Sequence, residues 1–244
     1  MKATVVVVLV GLCLLLAVGA SVWFFRRKKP GGEEAEETKE VEVDADFWRD
    51  FPIARESPLP IPYGPYFPLD AKGIDKVVAF DDVLSESEMV YLRSLLKEGV
   101  KKGRLAKGAN PWIKALEERI AKLLQKSPQL LEPLRLIRQD PGDESSPHID
   151  ALEDGGGKQG QRLSTLHIFL NSLPPLEEGG RTIFNKLDAG LKPKAGTAIG
   201  WNNVVVAGGA ANQIDHEMWH MSQALTLDND AKYTLVAYSR ERGC

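Results

Sequence analysis

The sequence predicts a mainly β fold with flanking helices (class α+β), preceded by one membrane-spanning helix. Three observations carry this. Residues 4–25 are apolar and uncharged, and Arg26, Arg27, Lys28 and Lys29 follow at once. Two segments after residue 84 carry helix-start signals and helical spacing of apolar residues. From about residue 133 the texture changes to short β-branched and aromatic runs broken by Gly, Pro and Asn. Two helices followed by many short strands point to a sandwich or barrel buttressed by helices.

The apolar run is long enough to cross a ~30 Å hydrocarbon core as a helix. It reads as a retained anchor, residues 1–29 with the basic flank, because it continues through Val22, Trp23, Phe24 and Phe25 into the basic stop. A cleaved signal peptide is the alternative, with Val18, Gly19 and Ala20 before Ser21. By charge alone the cluster after the span outweighs Lys2 and the amino terminus and puts the body in the cytosol. Residues 30–46 are acidic and low in complexity, a solvated tether. Residues 47–72 are a Pro-rich, aromatic lead-in, read as a strap packed on the following domain through Trp48, Tyr63, Tyr66 and Phe67.

The domain proper spans 73–244. IDKVVAF is a strand candidate. Ser85 and Glu88 form a capping box opening a helix through MVYLRSLLKEG, and Asn110-Pro111 opens a second helix with a stripe of Ile113, Leu116, Ile120 and Leu123. LRLIR, RLSTLHIFL, RTIFN, GTAIGWN and KYTLVAY are strands. Across the chain 31 basic residues face 34 acidic ones, and the pI is near 5.9. Bulk positive charge therefore offers no route to nucleic acid, and none is expected as a partner. The two cysteines, Cys13 and Cys244, build neither a disulfide framework nor a thiolate zinc site.

Chemistry concentrates in the strand-rich half, which holds all four histidines: His148, His167, His216 and His220. His148 and Asp150 are two apart, so on a strand they share a face. A second histidine would complete a two-histidine, one-carboxylate set, which suits Fe(II) and leaves coordination positions open. His216 to His220 also match the H-E-x-x-H pattern of zinc proteases. That pattern needs a long helix, and the preceding VVVAGGAANQID has adjacent glycines and no helical stripe. A zinc protease would also leave His148 and Asp150 unexplained, so the match reads as a coincidence and His216 as a loop or supporting residue.

Further spaced residues extend the pattern: Arg138, Gly142, Arg162 with Thr165, Phe169-Leu170-Asn171, Gly179-Gly180, Thr182, Phe184, Lys192-Pro193, Gly196, Asp215 and Lys232. In order and spacing, residues 73–243 resemble the prolyl 4-hydroxylase family of Fe(II)/2-oxoglutarate dioxygenases. The resemblance implies a double-stranded β-helix (jelly-roll) core and an enzyme that hydroxylates prolyl residues of a protein, which the apolar run of residues 4–25 would anchor in a membrane. Its cofactors would be Fe(II), 2-oxoglutarate as cosubstrate and L-ascorbate, with O2 as co-reactant. A related dioxygenase with a non-prolyl substrate is the alternative. His148, Asp150 and His220 would hold iron, and Lys232 would pair the far carboxylate of 2-oxoglutarate, which needs a buried cation.

Phe169 stands where the family commonly has a tyrosine that bonds 2-oxoglutarate, and Gln139 and Ser145 also replace frequent tyrosines. Thr165, Gln139 and His167 are therefore candidate cosubstrate contacts. His167, on the strand face of Thr165 and Phe169, either donates to the cosubstrate or is a hydrogen-bonded core histidine. Arg162 looks like a substrate-contact position, but strand parity sets it opposite Thr165. It must turn inward at the start of its strand or be a surface cation. Arg240 shares the face of Lys232 and is placed at the mouth of the site. The resemblance favours the lumen of the endoplasmic reticulum, the basic cluster the cytosol. A single-pass protein of that membrane is expected, its side left open.

Overall fold

The computed structural model describes residues 39–43, 62–63, 76–97, 99–174, 179–205, 213–226 and 230–244. The expected anchor, most of the tether and the lead-in contacts of Trp48, Tyr66 and Phe67 lie outside the described residues, as do residues 227–229 of the long turn before Lys232. No helix among the described residues is long and apolar enough to cross a membrane.

Among the described residues, thirteen strands and two α-helices order as β1 (Lys39–Val41), β2 (Pro62–Tyr63), β3 (Val77–Phe80), α1 (Glu86–Ser94), β4 (Lys102–Leu105), α2 (Pro111–Leu123), β5 (Arg135–Gln139), β6 (Arg162–Phe169), β7 (Thr182–Phe184), β8 (Ala189–Leu191), β9 (Ala198–Asn202), β10 (Val204–Val205), β11 (Gln213–Ile214), β12 (His220–Ser222) and β13 (Lys232–Arg240). An eight-stranded sheet runs β1-β4-β5-β13-β6-β9-β3-β2, and a three-stranded sheet runs β12-β7-β8. Pairing is antiparallel except between β1 and β4. The result is the mainly β, jelly-roll-like architecture with few helices that the sequence implies.

Alternation along the strands assigns the two faces of the large sheet. Leu166 and Ile168 of β6 and Leu235 and Ala237 of β13 pack with Leu92 of α1 and with Ile113, Leu116 and Ile120 of α2. Each fully buried Leu or Ile there contributes roughly 1.5–3 kcal/mol of transfer free energy. On the opposite face Phe169, Ile199 and Trp201 pack with Phe184, Ala189 and Leu191 of the small sheet. The space between the sheets is thus lined by Thr165, His167 and Phe169 from β6 and by even-numbered positions of β13.

Local signals behave as their chemistry dictates. Ser85 Oγ accepts from the Glu88 amide, and the Glu88 carboxylate accepts from the Ser85 amide at 2.8 Å. Asn110 Oδ1 accepts from the Ile113 amide at 2.8 Å, with Pro111 in the first turn. Helix α1 stops at Ser94 rather than running on to Gly99. The bonds from Leu95 N–H to Leu92 O and from Leu96 N–H to Arg93 O tighten its last turn. Part of the acidic segment is also not a free tether, since β1 adds in parallel to β4. Gly103 admits it: a Cβ there would collide with Val41 and Leu96.

Candidate metal centre

His148 and His220 sit on neighbouring chain segments that exchange backbone hydrogen bonds in both directions, each 2.9 Å. This reciprocal bridge brings the rings to a centroid separation of 4.5 Å. Asp150 lies in the bend after His148 rather than on a strand, so period-two alternation is not what aims it. Thr165 aims it instead, donating from Oγ1 to Oδ2 at 2.8 Å. The donor atoms of His148, Asp150 and His220 fall within 4.8 Å of one another.

The donor set fits one ion. Each imidazole uses Nδ1 on a carbonyl, His148 on Ser146 O at 2.8 Å and His220 on Met218 O at 3.0 Å. Nδ1 therefore carries the proton and Nε2 offers a lone pair. Both Nε2 atoms lie 3.7 Å from an Asp150 oxygen. Atoms each about 2.1 Å from a shared ion lie roughly 3–4 Å apart. Burial pushes the Asp150 pKa up, but the Coulombic influence of the His220, His148 and His167 rings and the Thr165 hydrogen bond outweigh it and hold it below the usual carboxylate range. Two neutral imidazoles and a carboxylate suit Fe(II).

HEMWH is not a zincin helix. His216–Met218 is a short 3-10 turn, Trp219 ends it, and His220 begins β12. His216 is exposed, and Glu217 pairs with Lys76 at 2.6 Å.

Lys232 is buried at the start of β13, and its Nζ donates to Ser222 Oγ at 2.7 Å. Among the described residues no carboxylate lies within ion-pairing distance of it. Burial alone pushes its pKa down to about 7. Ser222 Oγ in turn donates to Gln139 Oε1 at 2.6 Å, and Gln139 Nε2 holds Gln223 O at 2.9 Å. A buried ammonium ringed by neutral polar groups is a receptor for a carboxylate. Ser222 was not singled out from the sequence; standing two residues after His220 on a strand, it shares that ligand's face, and this parity was the available signal.

His167 faces the same space, its ring 4.9 Å from that of Trp201 and 5.9 Å from that of His220. Its ring makes no hydrogen bond among the described residues, so no partner there holds it as a bonded core histidine. Burial lowers its pKa to about 3, with Asp150 opposing and His220, Lys232 and His148 adding to the shift. The ring is neutral at pH 7 and can donate one hydrogen bond.

Arg162 does turn inward. The register of β6 against β13 shifts between Ser239 and Arg240, pairing Arg240 with Arg162 and Ser239 with Ser164. Leu163 is the extra residue of this bulge, which reverses the parity at Arg162. Its guanidinium stacks 3.9 Å from the centroid of the Tyr238 ring, whose hydroxyl lies 3.5 Å from Asp150 Oδ1. Arg162, Arg135 and Arg240 converge on buried Glu132 at 2.8, 3.0 and 2.9 Å. Arg240 is thereby drawn to Glu132 and, through Nη2, to Gly156 O at 2.7 Å. Burial pushes the Glu132 pKa up, but the arginines, Arg162 first, outweigh it and hold it below the usual range.

No protein-family model matches the chain. In sequence it is similar to human prolyl 4-hydroxylase subunit alpha-1, 23% identical over 195 residues, covering 69% of this chain and 35% of that protein. It is also similar to subunit alpha-2 of Gallus gallus, 24% identical over 157 residues, covering 54% of this chain and 29% of that protein. The chain spans about a third of the length of the curated relatives it matches. Among solved structures it is similar to the 2-oxoglutarate complex of a viral collagen prolyl hydroxylase from Paramecium bursaria Chlorella virus-1. That match has a TM-score of 0.57 and 24% identity, covering 68% of this chain and 95% of the viral one, and it is a likeness of fold. Fold and site together define a jelly-roll protein with a two-histidine, one-carboxylate metal cluster. The curated relatives it matches are prolyl 4-hydroxylase alpha subunits.

Proposed function

We propose that the chain is an Fe(II)- and 2-oxoglutarate-dependent dioxygenase that hydroxylates prolyl residues of a protein or peptide. The observation that carries this is a compact His148–Asp150–His220 cluster sharing one interior with a buried Lys232 that has no carboxylate partner among the described residues. When bound, the metal with O2 and 2-oxoglutarate supplies the oxidising power that turns a C–H bond into C–OH, with succinate and CO2 as coproducts. The chain's own residues do the rest. His148, Asp150 and His220 would hold the ion, and Lys232 would neutralise the far carboxylate of the cosubstrate while Ser222 orients it. Thr165 holds Asp150, and Gln139 holds Ser222, so both act one bond away from the ligand they serve. His167 is the remaining free donor of the interior. Phe169, Phe184 and Trp201 keep water from it. Arg162, stacked on Tyr238 beside Asp150, is the substrate-side contact, and Arg240 supports it through Glu132.

Ascorbate as the sustaining reductant, and anchorage through residues 4–25 in the endoplasmic reticulum membrane, belong to the same proposal. The test is conversion of 2-oxoglutarate to succinate by the purified chain with and without proline-rich peptides. Turnover that requires Fe(II) and rises with the peptide supports the reading; peptide cleavage sustained by zinc refutes it. An enzyme that proline-rich peptides leave unstimulated but lysyl peptides or oligonucleotides stimulate would favour the non-prolyl alternative.

A further inference from the structure

A buried amide to which no motif points lies behind the metal cluster. Asn203 is fully buried in the single-residue kink between β9 and β10. Thr165 Oγ1 has three neighbours: Asp150 Oδ2 at 2.8 Å, Asn203 Nδ2 at 2.9 Å and Asn203 Oδ1 at 3.3 Å. The hydroxyl owns one proton, and the ionised, nearer Asp150 takes it. The amide therefore meets the hydroxyl through Nδ2–H. Donation runs one way, from Asn203 to Thr165 to Asp150, and ends on the carboxylate.

The backbone of the same residue reaches a second ligand. Asn203 N–H donates to Leu163 O, and Asn203 O accepts from Asp215 N–H, both at 2.9 Å. Asp215 caps the short turn His216–Met218, taking the Glu217 amide on Oδ1 at 3.0 Å and the Met218 amide on its carbonyl at 3.1 Å. Lys76 fixes the other Asp215 oxygen at 2.8 Å. Met218 O, positioned by that turn, accepts from Nδ1 of His220. One residue thus fastens the supports of two of the three donors.

We propose that Asn203 is a positioning residue of the metal centre. Its amide orients Asp150 through Thr165, and its backbone seats the turn that sets the tautomer and direction of His220. This rests on the metal reading given above. Among the described residues the amide has no side-chain partner but Thr165, and Thr165 has none but Asn203 and Asp150. The pair serves the carboxylate rather than an unrelated part of the core.

The test measures Mn(II) binding to the metal-free full-length chain by calorimetry, with circular dichroism to verify folding. Asn203→Asp keeps the shape and replaces the donor by an acceptor. By charge alone the added carboxylate would tighten cation binding, so weakening reports the lost donor. Asn203→Asp and Thr165→Val are each expected to weaken Mn(II) binding roughly 10- to 100-fold. Thr165→Ser, which restores the hydroxyl, returns the affinity to near wild type. The double variant is no weaker than Thr165→Val, because the amide acts through that hydroxyl. Folded Asn203→Asp or Thr165→Val protein that binds Mn(II) within about twofold of wild type overturns the role, as does additivity in the double variant. A wild-type chain that binds no Mn(II) overturns the metal reading together with the role built on it.

Discussion

Lys232 offers a test in which cosubstrate affinity reports on a single proton. Burial lowers its pKa from 10.5 to about 7. With the site free of anion, the unfolded chain binds more protons than the folded one between about pH 7 and 10.5. Folded stability therefore rises with pH across that window, and the cost of the buried ammonium is fully present below it. A shift of this size corresponds to about 5 kcal/mol, taken as an order of magnitude. A dicarboxylate seated against Nζ removes that cost and restores the charge, so above pH 7 it must bind together with a proton. The expected 2-oxoglutarate affinity is flat just below pH 7 and then falls, approaching tenfold per pH unit above about pH 8. Calorimetry in buffers of different ionisation enthalpy counts the protons, with Mn(II) saturating. Lys232→Met should cost about 3–5 kcal/mol of binding, roughly two to four orders of magnitude. Lys232→Arg should recover part of the affinity and lose the pH dependence, since guanidinium stays charged. An affinity constant from pH 6.5 to 9 with no proton uptake would refute the assignment of the anion site to Lys232.

Replacing His148, Asp150 or His220 by Ala should abolish Fe(II)-dependent turnover of 2-oxoglutarate, while Glu217→Ala and His216→Ala leave most of it; a succinate assay separates them. Glu132→Gln strands three arginines around a neutral group and should destabilise the fold by about 3 kcal/mol, a fall in Tm of roughly 6–12 °C. Because the Glu132 pKa is depressed, that difference is present above the ordinary carboxylate pKa and shrinks as pH falls through the folded value, which melting curves at pH 7 and pH 3 would reveal. On intact microsomes, a luminal orientation predicts that added protease spares the body of the chain until detergent is present; digestion without detergent would place it in the cytosol.

Much of the fold was legible because its signals are local. The Ser85 and Asn110 caps, the apolar stripe of α2 and the runs that became β5, β6, β7, β9 and β13 each need only neighbours in sequence. Strands β4, β8 and β12 escaped because three or four residues carry little period of their own and form only when a partner strand is present. β1 escaped for the same reason inside an acidic segment. The metal donors were readable as a motif, although Asp150 is aimed by Thr165 rather than by strand alternation. Arg162 seemed to point outward because parity was counted along an unbroken strand, and the bulge at Leu163 is invisible without the register of β13. Asn203 and Glu132 went unread for a further reason. Their partners lie far away in sequence, 38 residues for Asn203 and Thr165 and 108 for Glu132 and Arg240, and no spacing rule spans such distances.

The central claim is tested most directly by the origin of the oxygen atom in the product. The full-length chain would be supplied with Fe(II), 2-oxoglutarate, a proline-rich peptide and heavy-isotope dioxygen, and the peptide analysed by fragmentation mass spectrometry. The account predicts one labelled oxygen on a prolyl residue for each succinate formed, lost in Asp150→Ala. Unlabelled or cleaved peptide, formed while His148, Asp150 and His220 are intact and the metal is bound, would contradict it.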